Sequence, residues 1–470
     1  MWTDQSVEAD AMTNSENLSS DKMGLLFFPA FDWAISPTHP EREERLLYTK
    51  DQIAEEGLFD LDQIREYAPR IADAKDIARV HICVPDVDAQ ATEAHRIAAG
   101  GTLALADAWH AGEIGRGFAI VRPPGHHAKR VVHGNRGFCN VHNEAVMVAY
   151  LRQRYGIRRV AIVDTDVHHG DGTQDIFWHD PDVLVIGLHQ DGRTLYPGTG
   201  FVDELGGPGA FARNLNIPLP PGTTDEGILF CLDELVLPAL EDFAPEIVIN
   251  SAGQDNHYSD PLAHMRVSAQ GYAQINEKLA PDLAVLEGGY SIQSALPYVN
   301  LAIILAMAGL DYGHVREPDY NPRALKQSTS QWETVKKTVG WLQRILENQA
   351  AFHAHFYPDL GDTYSREKQI FYDTDGIHEV QQETVRICED CPGWMGIDSR
   401  ARGGPLGRQR IWAMSIPWFA CPRCAEQARA QFYDMQARPH DSYDWLYLQD
   451  LPAGTYTQYN VADESSEVLM

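Results

Sequence analysis

Short runs of β-branched and aliphatic residues recur along the N-terminal two-thirds of the chain: "LLFF" (25–28), "FAIV" (118–121), "VAIV" (160–163), "VLVIGL" (183–188), "EIVIN" (246–250) and "LAVL" (283–286). They are continuously apolar rather than alternating, which marks strands buried on both faces. Segments of helical period lie between them, over 92–112, 142–156, 224–243 and 268–280. Strands alternating with helices predict an α/β fold: a doubly wound, mostly parallel sheet with helices on both faces.

Such sheets bind ligands in the loops at the carboxyl ends of their strands. Four loops fall there. "RPPGHHA" follows 118–121, "DTDVHHGDG" follows 160–163, "SAGQDNHYSDP" follows 246–250 and "LEGGY" follows 283–286. Loops far apart in sequence thereby converge on one edge, and they carry most of the reactive side chains.

Asp166 and His168 are separated by one residue, just past a strand end, so both point the same way. A carboxylate and an imidazole on one side can bind zinc, with a third ligand completing a catalytic site. Asp260 is the natural third, with Asp255 and His257 competing in the same loop; taken alone, Asp260-Pro261 also reads as a turn initiator. His126 and His127 follow the stiff turn Pro123-Pro124-Gly125. Each suits acid–base work at neutral pH if a carboxylate orients its other nitrogen. Asp164 and Asp171 are available for that, and His169 braces the loop. Tyr290, after Gly288-Gly289, can donate to a carbonyl oxygen gaining negative charge, although a Tyr there more often only packs.

The four cysteines Cys388, Cys391, Cys421 and Cys424 form two CxxC pairs. That spacing fits one tetrahedral zinc with a structural role, stabilising a region poor in aliphatics. Such a region can also cover the active-site rim or make a subunit contact. Cys83, Cys139 and Cys231 are isolated among apolar residues and read as buried thiols.

The net charge of −29 argues against nucleic acid as a partner. No apolar stretch is long enough to span a bilayer, so no membrane partner is expected. The N-terminal residues lack a basic region followed by an apolar one, which points to a cytoplasmic protein with a disordered acidic tail over 1–22. A catalytic domain is expected over 23–355, closed by a helix over 331–356. A C-terminal region with the four-cysteine site, ribbon-like and small, is expected over 356–470. Residues 311–328 and 355–380 read as loops, and the last residues as a frayed tail.

Taken together, "RPPGHHA", "GFCN", "DTDVHHGDGTQ", "YPGTG", "SAGQDNHYSDPL" and "LEGGY" resemble the zinc-dependent histone deacetylase and acetylpolyamine amidohydrolase superfamily, with its arginase-like fold. "SPTHPEREERL" (36–46) and "AAGGTLALADA" (98–108) are similar as well. The resemblance covers roughly 23–310 and does not reach the cysteines. It implies Asp166, His168 and Asp260 as ligands of a catalytic Zn2+. His126 and His127 match the tandem pair, with His127 as general base and acid, oriented by Asp171, and His126 oriented by Asp164. Tyr290 matches the carbonyl-polarising tyrosine, and Phe138 one wall of the acyl tunnel.

The chain departs from the family pattern in places. The opposite tunnel wall is Tyr196 rather than Phe, and "SAGFD" reads "SAGQD". A serine that helps hold K+ beside Asp164 is replaced in Gly187-Leu188-His189, which leaves backbone oxygens of Asp166, His168 and Leu188 for a monovalent cation. The insertion "AKRVVHGNRG" places Lys129, Arg130, His133 and Arg136 near the rim. The expected substrate is an acylated amine, acetyl-lysine in a protein or a small acetylated amine, and a homo-oligomer is left open. Two rival readings are an arginase-like ureohydrolase with two metals, which leaves the tandem histidines and Tyr290 unexplained, and a non-catalytic acyl-lysine binding module.

Overall fold

The computed structural model describes residues 21–323, 325–438 and 442–469. The tail expected over 1–22 lies outside the described residues apart from its last two. The main sheet has eight parallel strands in the order Ile64–Tyr67, Met23–Phe28, Arg116–Val121, Leu283–Val285, Ile247–Ser251, Val160–Asp164, Val183–Gln190 and Asn214–Leu219. The apolar runs of the sequence supply the inner strands. The two outermost strands escape that pattern. Ile64–Tyr67 is largely exposed, and Asn214–Leu219 carries Pro218, which an edge strand tolerates because one side of its backbone has no partner.

The four neighbouring strands at the centre of the sheet are those that precede the four reactive loops. Their carboxyl ends lie side by side, so the loops converge as expected. Helices Glu93–His110 and Asn143–Tyr155 pack on one face; Ala269–Leu279 and Leu296–Met307 pack on the other. The closing helix expected over 331–356 is two helices, Thr329–Glu347 and Gln349–Phe356.

Beyond Phe356 the structure differs most from the expectation. Residues 355–380 are not a linker: Thr363–Tyr372 and Ile377–Arg386 form a hairpin of a second, seven-stranded sheet. The sheet continues through Met395–Arg402, Arg408–Ile416, Trp445–Asp450 and Thr455–Asn460. It ends with Ser465–Leu469, the segment read as a frayed tail. Pairing is antiparallel throughout except between Arg408–Ile416 and Trp445–Asp450, which the helix Pro422–Ala437 connects. The first strand alternates exposed and inward residues, and several of the inward ones are charged or aromatic. A search for continuous aliphatic runs misses such a strand.

This sheet is larger than a ribbon, and it packs on helices that cover one face of the first, Asn143–Tyr155 and Asp171–Phe177. One continuous core joins Val146, Met147, Leu151 and Ile176 to Val385, Met395, Ile397, Ile411 and Tyr447. A smaller core of Trp394, Met414, Ile416, Phe432, Leu446 and Leu448 lies between the sheet and the helix Pro422–Ala437.

Candidate active site

A cavity of about 230 Å³ opens over the carboxyl ends of the central strands, lined by His126, His127, Asp166, His168, Phe138 and Tyr290 among others. The histidine turn is anchored from below: Glu287 Oε2 accepts the backbone N–H groups of Gly125 (2.7 Å) and His126 (3.0 Å). Burial and the neighbouring Glu144 push the Glu287 carboxyl well above its usual range.

Each histidine has its own carboxylate. His126 Nδ1 lies 3.0 Å from Asp164 Oδ2, and His127 Nδ1 lies 2.8 Å from Asp171 Oδ1. The ring centres are 4.1 Å apart. The two imidazoles nevertheless differ. Burial lowers the His126 pKa, but the nearby Asp166 and Asp164 outweigh it and hold the group well above its ordinary value. His127 is pulled down to about 3 by burial and then by the charge of His126. His127 is therefore the neutral member, with Nδ1 tied to Asp171 and Nε2 left to accept a proton. A divalent cation placed among these carboxylates would bring the His126 value back down.

Asp166 and His168 come together as expected. Asp166 Oδ1 accepts the His168 N–H at 2.8 Å and lies 3.1 Å from Nδ1 of the same ring; its Oδ2 accepts the Gly288 N–H at 2.7 Å. The third member of this cluster is Asp255, whose Oδ2 lies 3.0 Å from His168 Nδ1. The ligand atoms of Asp166, His168 and Asp255 all fall within 4.8 Å of one another, and Asp260 is not among them. Asp260 instead accepts the N–H groups of Leu262 (2.9 Å) and Tyr290 (2.7 Å). Burial, and the charge of Asp255 after it, push its carboxyl up to about 7.

Carboxylates crowded out of water around one imidazole, with oxygen and nitrogen donors, fit a divalent ion such as zinc. Gly288 is required at its position. A Cβ there would lie 2.2 Å from Asp255 Oδ2 and 2.6 Å from Asp166 Oδ2.

Tyr290 is buried, and loss of solvent holds its phenol well above the ordinary value, so it remains a donor. Its ring meets Phe138 edge-on at 5.6 Å, while Tyr196 meets His127 edge-on at 5.3 Å. Phe138 and Tyr196 thus wall the cavity. Phe138 has φ 72°, a strained conformation for a non-glycine residue that the surrounding turn must enforce. His169 holds Thr199 and Gln174. Leu188 is buried in the strand next to the Asp164 strand.

Several positioning residues were not singled out from the sequence. Glu41 bridges Arg45 (2.7 Å) and Arg122 (2.6 Å), all fully buried. Arg45 in turn donates to the carbonyls of Gly289 (2.8 Å) and Glu287, and its guanidinium sits 4.8 Å from the Tyr290 ring centre. The signal was present in "SPTHPEREERL", a charged segment beginning with two Pro-restricted turns, but nothing local says that its charges are buried.

The basic insertion is not a rim. Lys129, His133 and Arg136 are buried and Arg130 half-buried. Lys129 and Arg136 each pair with Asp171 at 2.7 Å. Arg130 reaches Ile176 O, and His133 Nε2 lies 2.9 Å from Ser399 Oγ in the second sheet. The insertion is the seat on which that sheet docks.

The four C-terminal cysteines converge, all Sγ atoms lying within 4.8 Å of one another. Zn–S bonds of 2.3 Å in a tetrahedron put sulfurs about 3.8 Å apart, so the cluster fits one zinc after a small contraction. Cys421 stands at the N-terminal end of the helix Pro422–Ala437, and Gly393 N–H donates to Cys391 Sγ at 3.3 Å. A hydrogen bond from the Asp390 backbone lowers the Cys388 thiol to about 6. Among the described residues these are the two groups in which three or more such donor atoms all lie within 4.8 Å of one another.

Residues 86–306 match the model of the histone deacetylase domain family. A probable deacetylase of Archaeoglobus fulgidus is 40% identical over 350 residues, which cover 68% of this chain and 94% of the relative. Histone deacetylase 15 of Arabidopsis thaliana is 35% identical over 384 residues, covering 76% of this chain and 65% of that protein. A histone deacetylase-like amidohydrolase of Pseudomonas aeruginosa is 34% identical over 269 residues, 55% of this chain and 68% of the relative. The crystal structure of the HDA15 HD domain superimposes with a TM-score of 0.61 at 29% identity, covering 73% of this chain and all of that one. With the parallel sheet, the paired histidines and the buried Asp-His-Asp cluster, these similarities place the chain in the histone deacetylase and acetylpolyamine amidohydrolase superfamily.

Proposed function

We propose that the protein is a zinc-dependent amidohydrolase that removes an acyl group, acetyl above all, from an amine. The observation that carries this reading is the set of groups brought to one cavity. Two histidines with separate carboxylates, one held neutral, line it together with a phenol held protonated and with Asp166 and His168 of the Asp166–His168–Asp255 cluster.

Asp166 and His168 would hold the zinc with a third carboxylate from the Asp255–Asp260 loop; once bound, zinc would polarise the acyl carbonyl and acidify a water. Asp171 fixes the tautomer of His127, so Nε2 takes the proton from that water. Tyr290 donates its O–H to the carbonyl oxygen as charge develops there. A protonated histidine returns the proton to the departing nitrogen, and Phe138 and Tyr196 hold the acyl end away from bulk water. Asp164 orients His126; backbone oxygens of Asp166, His168 and Leu188 beside it are the proposed seat of a monovalent cation. The four cysteines would hold a second, structural zinc.

The test is hydrolysis of acetyl-lysine amide and of small acetylated amines by the full chain, with metal content measured alongside. Zinc-dependent turnover is expected, with Asp166→Ala and His168→Ala losing both catalytic zinc and activity while staying folded. Near-normal turnover with zinc bound in either variant would overturn the ligand assignment.

A further inference from the structure

The first hairpin of the second sheet carries its turn, Asp373-Thr374-Asp375-Gly376, to the mouth of the catalytic cavity. The turn is tied down from several sides. Asp375 Oδ2 accepts the Asn135 N–H at 2.7 Å, Thr374 Oγ1 donates to Asn135 Oδ1 at 2.9 Å, and the Tyr372 hydroxyl donates to Val131 O at 2.8 Å. Asp373 is the residue of this turn that lines the cavity. Its Oδ1 accepts the Gly137 N–H at 2.9 Å and the Tyr196 O–H at 3.2 Å. Among the described residues no hydrogen bond engages its Oδ2.

Tyr196 lies edge-on to His127 at 5.3 Å and to His168 at 6.3 Å. Asp373 therefore stands one tyrosine's length outside the histidines, where the amine portion of a bound amide would pass. Arg136 lies near enough to feel the Asp373 charge, but the hydrogen bonds of the cations around it go elsewhere. Arg136 spends Nε and Nη2 on Asp171 and Nη1 on Phe371 O, and Lys129 bonds both the carboxylate and the carbonyl of Asp171. His39 faces Phe138 at 4.3 Å, and burial lowers its pKa against the pull of Glu41 and Asp373. The tunnel mouth thus presents, on a half-buried residue, one carboxylate oxygen with no hydrogen bond among the described residues, beside the apolar walls of Phe138, Leu195 and Leu262.

We infer that Asp373, supplied by the second sheet, is a specificity-determining residue that binds a protonated amino group on the amine portion of the substrate. The inference rests on the amidohydrolase reading above. A carboxylate partly withdrawn from water gains most from a charged donor, through a charge-assisted hydrogen bond in a medium of reduced dielectric. A neutral alkyl end leaves it desolvated with nothing in return.

The test compares N-acetyl-1,5-diaminopentane with N-pentylacetamide, equal in chain length, on the full chain and on Asp373→Asn, which keeps an oxygen for Gly137 and Tyr196. The ratio of kcat/KM for the cationic over the neutral amide should fall about tenfold or more in Asp373→Asn, through KM. The free 1,5-diaminopentane should lose its competitive inhibition in the same variant. Asp375→Asn, which anchors the turn without lining the cavity, should keep the wild-type ratio. A parallel fall for both amides would mean that Asp373 only seats the hairpin, and an unchanged ratio that it reads nothing; either overturns the inference alone. A loss confined to an acetyl-lysine peptide with no free amine would assign the carboxylate to a backbone N–H and overturn it too. A wild type inactive on every amide would overturn the amidohydrolase reading, and this inference with it.

Discussion

Tyr290 is positioned by its backbone as much as by its ring. Its N–H donates to Asp260, the preceding carbonyl of Gly289 accepts from Arg45, and the Arg45 guanidinium lies over the ring. Replacing Tyr290 with Phe keeps every one of these contacts and removes only the O–H. The phenol's hydrogen bond strengthens as the carbonyl oxygen becomes anionic, so its loss raises the barrier more than it weakens binding. Tyr290→Phe should lower kcat on the order of 10²–10³ and leave the zinc content unchanged. Unchanged turnover, or a defect explained by lost zinc, would remove Tyr290 from the mechanism. Glu41 makes a different prediction at the same scale. Its one carboxylate is shared by two guanidinium groups that are shut away from solvent. Glu41→Gln leaves both buried with no counter-charge, a change that costs on the order of 3–5 kcal/mol. Denaturant unfolding should show that loss, and residual activity should fall as well, since Arg45 then holds the Tyr290 loop less firmly. A stability within 1 kcal/mol of wild type, roughly the range of an exposed pair, would mean that the triad is dispensable.

The elements divide by how plainly the sequence declares them. Inner strands of a parallel sheet have no wet face, so continuous apolar runs announce them, and the loops at their ends follow from strand order alone. That is why strand order alone brings the loops of His126, His127, Asp166, His168 and Tyr290, which line one cavity, to one edge of the sheet. The choice between Asp255 and Asp260 was not legible. Both sit in one loop, and which of them clusters with His168 depends on a backbone path that spacing does not encode. Glu287, Glu41 and Arg45 were missed for a related reason: a buried charge looks like a surface charge until its partners are known. The second sheet was missed because its outer strands bury ion pairs. Lys368 joins Glu383 of its own sheet to Asp175 of the catalytic layer, and Arg366 also reaches Glu383. Burial raises the Glu383 pKa, but the charges of Arg366 and Lys368 outweigh it and hold the group well below the usual carboxylate range. A carboxylate depressed in the folded state contributes stability above its unfolded pKa of about 4.3, and loses it only as pH falls through the lower folded value. Lys368→Met should therefore destabilise the docked sheet at neutral pH, and the deficit should shrink on acidification below about pH 4. A pH-independent difference in melting temperature would count against the charge cluster. The cysteine site lies at the other end of the same hairpin and closes the small core under the helix Pro422–Ala437. Cys421→Ser should lose one of two zinc ions per chain and open residues after about 380 to proteolysis, because the closed tetrahedral site then lacks a ligand. A wild type that binds only one zinc under non-chelating conditions would rule the second site out.

At the scale of the whole molecule, the question is whether the second sheet is an appendage or part of the fold. An appended domain has its own core and meets its neighbour across a polar, loosely packed surface. Here the largest shared core runs through the boundary, from Val146, Met147 and Ile176 to Val385, Ile397, Ile411 and Tyr447. Polar contacts cross as well: Tyr447 O–H donates to Pro85 O and the Gln449 amide to Ala78 O, each at 2.7 Å. The Tyr372 hydroxyl, the Asp373 carboxylate and the Asp375 carboxylate reach the loop between the paired histidines and Phe138. The sheet thus holds the insertion that carries Lys129 and Arg136, and those two residues hold Asp171, the carboxylate that orients His127. Stability and catalysis are coupled along that chain of contacts. Two consequences can be measured. Thermal or denaturant unfolding of the metal-loaded protein should be a single transition, coincident by tryptophan fluorescence and far-ultraviolet circular dichroism, because parting the halves opens the core that they share. The chain truncated after Phe356 should bare the apolar face that Val385 and Ile397 cover, and so bind hydrophobic dyes, self-associate and lack near-ultraviolet circular dichroism. A truncated chain that stayed monomeric, kept its tertiary signal and hydrolysed acetyl amides at the wild-type rate would show that the second sheet is an appendage after all, and that Asp171 keeps its place without it.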